Sequence, residues 1–163
     1  MPRPGTDIAV HLGALAPDFV LKNQDNSDVT LSSFRGQSPV LLVFYPFAFS
    51  RICTGELCQL RDDLAIYADA GVEVLAVSTD PKYALKAYAE KEGYRFTLLS
   101  DFWPHGAVAS AYGVFNERAG MAVRGTFLVD IDGTVAYAEV NEMGQPRDQS
   151  AWQRAVYAVT TLA

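Results

Sequence analysis

The sequence predicts an α/β domain built on a mixed sheet, and three observations carry that reading. Two continuous apolar runs, "PVLLVFYP" (39–46) and "VEVLAVST" (72–79), have the pattern of strands covered on both faces. Between them, Leu57, Leu60, Leu64, Tyr67 and Ala68 recur at helical spacing over residues 51–70. Strand, helix and strand over some 40 residues make a crossover that leaves the two strands parallel. Near the C-terminal end, "GTFLVDIDGTVAYAEV" (125–140) places Asp132-Gly133 between two alternating runs, the signal of an antiparallel hairpin.

The remaining elements follow in chain order. Residues 1–11 contain Pro2, Pro4 and Gly5 and read as a loose extension, with residues 12–163 forming one domain. "FVLKN" (19–23) and "DVTLSSF" (28–34), joined by the polar "QDNS", read as an N-terminal β-hairpin. Glu56 is expected in the first turn of the long helix, where a carboxylate favours the positive end of the helix dipole. Gly71 ends that helix. "DPKYALKAYAEKEG" is a helix with Pro81 at its start and Gly93 at its end. "FTLLSD" (96–101) is a strand, "HGAVASAYG" a short helix, and "DQSAWQRAVYAVTTLA" a closing amphipathic helix.

Composition narrows the function. The chain has 163 residues, 50% hydrophobic and 20% charged, which suits a folded globule. A net charge of −6 with no basic cluster argues against nucleic acid. No stretch of 18 uncharged apolar residues is present, so no membrane span is expected, and the N-terminus lacks the apolar core of a signal peptide. Two cysteines do not make a secreted disulfide framework, so a cytoplasmic location is expected.

Of those cysteines, Cys53 comes seven residues after the strand-ending Pro46, at the start of the long helix, and Cys58 five residues further along it. The first backbone N–H groups of a helix carry partial positive charge, and a thiol placed there loses its proton more readily. The edge of a parallel sheet is also the usual place for an α/β active site. Read blandly, Cys53 is a small buried hydrophobe. Five residues along a helix separate two Cα atoms by roughly 8.7 Å, beyond the reach of a disulfide while the helix is intact. Two cysteines and two scattered histidines, His11 and His105, do not make a zinc site, and no cofactor or metal is expected. Cys58 sits off the apolar stripe, where an inert thiol is the plain alternative.

The segment "PFAFSRIC" contains Pro46, Ser50 and Cys53 in the P-x-x-x-[TS]-x-x-C arrangement of peroxiredoxins, and the chain resembles that family from residue 12 onward. "LGALAPDFVLKNQD" resembles the family's start, and "RGTFLVDIDGTV" resembles the strand bearing its active-site arginine, here Arg124. "LLSDFWPHGAVASAYGVFNERAG" is similar to the one-cysteine alkyl hydroperoxide reductase E subfamily, whereas the C-x4-C pair resembles the Q-type, bacterioferritin-comigratory members. The resemblance implies a thioredoxin-like fold and reduction of H2O2, organic hydroperoxides and peroxynitrite. Cys53 would attack the peroxide and become a sulfenic acid, and Arg124, Ser50 and the Cys53 N–H would stabilise the leaving oxygen. Pro46 would shield the sulfur. Cys58 would resolve the sulfenic acid as an intramolecular disulfide once the helix start melts. A homodimer is implied, with thioredoxin, a mycoredoxin-like protein or a low-molecular-weight thiol as reductant.

Each role has a competitor in the residues themselves. Arg124 without the motif reads as a surface ion-pair residue, Ser50 as a helix cap, Pro46 as a strand stop. Glu56 resembles an acidic position after the family's cysteine, where it would hydrogen-bond locally or assist proton movement, and reads equally as helix stabilisation; Trp103, similar to a subfamily tryptophan, reads as core or dimer contact. Ser50 stands where the family more often has threonine, so a methyl that restricts the rotamer is absent. At the level of function, the alternatives are a one-cysteine peroxidase resolved by an external thiol, a redox sensor without efficient turnover, and a structural thioredoxin-like module.

Overall fold

A computed structural model describes residues 10–141, 145 and 147–161. In chain order its elements are β1 (Val20–Asn23), β2 (Asp28–Thr30), a 3-10 turn (Leu31–Phe34), β3 (Val40–Phe44), α1 (Arg51–Asp62), α2 (Leu64–Asp69) and β4 (Glu73–Ser78). They continue as α3 (Lys82–Glu92), β5 (Thr97–Ser100), α4 (Ala107–Ala111), β6 (Phe115–Asn116), β7 (Met121–Ala122), β8 (Arg124–Val129), β9 (Val135–Asn141) and α5 (Gln149–Thr161). Seven strands form one sheet in the order β2-β1-β5-β4-β3-β8-β9, and β6 pairs with β7 separately. Among the described residues, no helix is long and apolar enough to cross a membrane.

The apolar runs are the centre of this sheet. β3 pairs in parallel with β4, and β4 with β5, as the crossover pattern requires. All five residues of β3 are buried because its two faces feed two cores. Leu41, Val43 and Tyr45 pack with α1, α3 and α5 residues such as Leu57, Tyr88 and Trp152. Val40, Leu42 and Phe44 pack on the opposite face with Phe19, Tyr112 and Phe127. The hairpin β8–β9 turns at Asp132-Gly133, where Gly133 has φ of +88° and a Cβ would lie 2.6 Å from Arg35 Nε.

Four expectations change. The N-terminal hairpin is present, with Val20 opposite Thr30, but its second strand ends at Thr30. The chain then coils into the 3-10 turn, held by Asp18 Oδ1, which accepts the Ser32 N–H at 2.8 Å. The long helix over 51–70 is two helices, interrupted at Asp63. Glu56 lies in the second turn of α1, not the first, and is buried. Of the expected loose extension, residues 1–9 lie outside the described part, and Val10 is buried in the core.

Candidate active site

Topology brings the site together at one end of the sheet. Phe44, the last residue of β3, is opposite Gly125 in antiparallel β8, so the loop leaving β3 and the start of β8 at Arg124 meet. Residues 45–50 carry the chain across this edge into α1. Pro46 is buried, and the loop is tied to the β4–α3 connection by Asp80, whose Oδ2 accepts the Ala48 N–H at 2.8 Å and the Ser78 hydroxyl at 2.7 Å. Phe49 adopts φ of +67°, an uncommon conformation for a bulky residue, and packs on Tyr88 with ring centroids 4.8 Å apart. Phe47 and Phe49 remain half-exposed beside the helix start.

Cys53 is the third residue of α1 and fully buried. A guanidinium N–H of Arg124, Nη2, points at its sulfur from 3.3 Å. A cation there, together with the free N–H groups of the first helical turn, stabilises negative charge on the sulfur. Arg124 is only 3% exposed, which rules out the surface ion-pair reading. Ser50 occupies the N-cap position with an extended backbone, but its hydroxyl makes no cap bond. Among the described residues its buried Oγ has no hydrogen-bond partner, so it is available to a ligand of the loop.

One helical turn beyond Cys53, on the same face, Glu56 gathers the guanidinium groups. Its carboxylate pairs with Arg124 Nη1 and accepts three N–H bonds from Arg147: the backbone N–H at 2.8 Å, Nε at 3.0 Å and Nη2 at 3.1 Å. Arg147 is fully enclosed. Its Nη1 donates to the Phe44 carbonyl (2.8 Å), the Gly125 carbonyl (3.1 Å) and Thr126 Oγ1 (3.2 Å), and its guanidinium stacks over Trp152 at 5.5 Å. Gln149 Nε2 donates to the Glu56 carbonyl at 2.9 Å. Burial pushes the Glu56 carboxyl up, but the hydrogen bonds and charge of Arg147, with Arg124 behind them, hold it below its ordinary value. An anchored carboxylate fixes Arg124 so that its other amine faces sulfur.

Cys58 is half-buried against the core, one and a half turns along the same helix. Its thiol donates to Glu92 Oε2 at 3.5 Å and lies 3.6 Å from the Tyr94 hydroxyl. Both cysteines are free thiols, and α1 is continuous between them. Trp103 is 81% exposed, which excludes a core role; it flanks a shallow surface groove with Tyr83 and Phe102.

The structure thus brings Cys53, Arg124, Ser50 and Pro46 to one edge, with Cys58 farther along α1. Sequence reasoning did not find Arg147 or Gln149. No spacing links position 56 to a residue 91 positions later; the available signal was a Glu three residues after Cys53, on a buried helix face where a carboxylate requires a partner.

Comparison with known proteins gives a consistent outcome. The model of the AhpC/TSA family matches residues 12–138. The chain is 51% identical over 151 residues to alkyl hydroperoxide reductase E of Mycobacterium tuberculosis, covering 93% of this chain and 99% of that protein. It is 41% identical over 131 residues to peroxiredoxin Bcp of Escherichia coli, covering 77% and 82% of the two chains. Among solved structures, peroxidoxin BcpB from Mycobacterium tuberculosis superposes with a TM-score of 0.80 at 30% identity, covering 94% of this chain and 99% of that one. The neighbours are thioredoxin-fold peroxiredoxins.

Proposed function

Since the chain belongs to the AhpC/TSA family, we propose that it is a thiol-dependent peroxidase in which Cys53 is the peroxide-reacting sulfur. The observation that carries the assignment is a buried sulfur at a helix start with Arg124 Nη2 at 3.3 Å and an unpartnered Ser50 hydroxyl in the loop before it. The Cys53 thiolate attacks the nearer oxygen of RO–OH, the O–O bond breaks, and Cys53 becomes a sulfenic acid while RO⁻ departs and is protonated to ROH. Arg124 and the Ser50 hydroxyl supply donors for the charge that develops on the leaving oxygen. Pro46, buried and without an N–H, would shield the sulfur from water and fix the loop. Half-exposed Phe47 and Phe49 beside the site suit alkyl as well as hydrogen peroxide, and peroxynitrite fits the same donor set.

In the second half of the cycle Cys58 attacks the sulfenic sulfur, releasing water and leaving a Cys53–Cys58 disulfide, which a dithiol such as thioredoxin, a mycoredoxin-like protein or a low-molecular-weight thiol returns to two thiols. A homodimer in the reducing cytoplasm completes the proposal. Because α1 is intact between the cysteines, resolution by an external thiol is the second reading. Peroxide consumption coupled to each reductant tests the assignment: wild type turns over repeatedly and Cys53→Ser does not. Rapid single oxidation without turnover under any reductant identifies a sensor. Persistent turnover in Cys58→Ser with a monothiol, at the wild-type rate, identifies the one-cysteine cycle.

A further inference from the structure

A second group of polar side chains gathers around Cys58 at the end of α3, away from Arg124. Cys58 faces the end of that helix, where its single thiol hydrogen is directed to Glu92 Oε2 at 3.5 Å. With that hydrogen committed, the Tyr94 hydroxyl is left as a donor, 3.6 Å from the Cys58 sulfur and 3.5 Å from the Thr54 carbonyl. Burial, with the hydrogen bonds to Tyr88 and Cys58, raises the Tyr94 phenol, so it keeps its proton. An acceptor for the thiol proton and a donor for the sulfur once it is anionic are the two parts an activated nucleophile needs. Arg61, one turn beyond Cys58, donates from Nη1 to the Glu92 carbonyl at 2.5 Å and fixes α1 to α3 at this point. The N-terminal half of α1 is attached differently, through Thr54 Oγ1 and the Tyr88 hydroxyl at 2.9 Å.

Resting on the reading of Cys58 as the resolving thiol, we propose that Glu92 accepts the Cys58 proton and anchors that sulfur during disulfide formation, while residues 51–57 unwind to carry Cys53 to it. As the S–S bond forms, the Cys58 proton passes to Glu92, the S–O bond of the sulfenic acid breaks, and the hydroxide that leaves takes a proton to become water. Glu92 then returns its proton to solvent. The peroxide supplies the only oxidant.

The test uses the full-length reduced protein, one equivalent of hydrogen peroxide, and rapid alkylation followed by mass spectrometry to count the thiol at each cysteine. In Glu92→Gln and Glu92→Ala, Cys53 oxidation keeps its wild-type rate, which also shows that the site is folded. Disulfide formation slows by about tenfold or more in both. Added formate restores the rate in Glu92→Ala, where it fits the vacated space, and does nothing for Cys58→Ser. Disulfide formation at the wild-type rate in both Glu92 variants overturns the proposal. So does slowing that formate leaves untouched, which is the behaviour of a packing defect. Wild-type protein that oxidises Cys53 and forms no Cys53–Cys58 disulfide fails at the earlier reading and removes the basis of this one.

Discussion

Replacing Arg124 by alanine separates chemistry from stability at this site. The substitution removes the Nη2 donor 3.3 Å from Cys53 Sγ and one of the partners of Glu56. Losing one preorganised donor to a developing oxyanion lowers a rate by about 10²–10³-fold, or about 2.7–4 kcal/mol. The folded state fares better, because the Glu56 carboxylate keeps all three N–H bonds from Arg147. The expected loss of stability is therefore about 1.5–3 kcal/mol, that of a broken charged hydrogen bond. Arg147→Met inverts the ranking. It strips the Nε and Nη2 donors from a buried carboxylate while leaving the backbone N–H and Arg124 in place, and costs about 3–5 kcal/mol. Stopped-flow oxidation at several peroxide concentrations gives the bimolecular rate, and urea unfolding gives the stability. If folded Arg124→Ala oxidises within about threefold of wild type, the guanidinium is not a transition-state donor and the mechanism is wrong.

Other substitutions probe the surrounding contacts. Ser50→Ala should slow Cys53 oxidation by about 10- to 100-fold, yet change stability by less than the ~1 kcal/mol of a lost helix cap, because its hydroxyl makes no cap bond; Ser50→Thr should speed oxidation by about two- to threefold by restricting the rotamer. Tyr88→Phe frees Thr54 from its 2.9 Å partner and should speed disulfide formation by about two- to tenfold, the worth of one net hydrogen bond, as followed by thiol counting. Acid unfolding should report Glu56. Its carboxyl is held below the ordinary 4.5, so the stability it contributes is complete above that value and is lost as pH falls through the lower native one. Buried Asp101 is shifted the opposite way by burial, so the comparison to make is wild type against Glu56→Gln, whose curve should be flatter below about pH 4.5; superimposable curves would contradict the assignment.

What the sequence disclosed and what it hid divide along a physical line. β3 and β4 were legible because a strand buried on both faces must be apolar throughout, and α3 because Gly93 marks its left-handed end. The Cys53 site was legible because its loop and helix start are local in the chain, and the arginine strand has a recognisable run. The interruption at Asp63 left no trace, since Leu57, Leu60, Leu64 and Tyr67 keep helical spacing across it. The turn after β2 depends on Asp18, 14 residues from its Ser32 partner. The sequence reading puts Glu56 in the first turn, either stabilising the helix or hydrogen-bonding locally; it lies in the second turn, where the helix dipole is weak, and two guanidinium groups supply the local bonding. Arg147, Glu92 and Tyr94 are supplied by tertiary contact alone, which no local period encodes.

In the proposed cycle the two cysteines place opposite demands on one helix, and a thiolate at Cys53 would reconcile them. As a thiolate the sulfur would accept the Arg124 Nη2 hydrogen bond beside the partial positive charge of the first turn, so the charge that reacts in the proposed cycle would also hold the turn closed. In that cycle, oxidation to a neutral sulfenic acid would weaken both interactions at the moment when the turn has to open toward Cys58. A charge-assisted hydrogen bond contributes about 1.5–3 kcal/mol, which corresponds to roughly 10- to 150-fold in the opening equilibrium. Cys53→Ser, nearly isosteric and neutral, imitates that loss without peroxide. Amide hydrogen exchange near neutral pH should therefore be faster by about that factor at residues 54–57 in the variant, and unchanged around Cys58, which Glu92 and Arg61 keep tied to α3. Equal protection of 54–57 in the two proteins would mean that the sulfur's charge does not hold the turn, and that opening is driven from elsewhere.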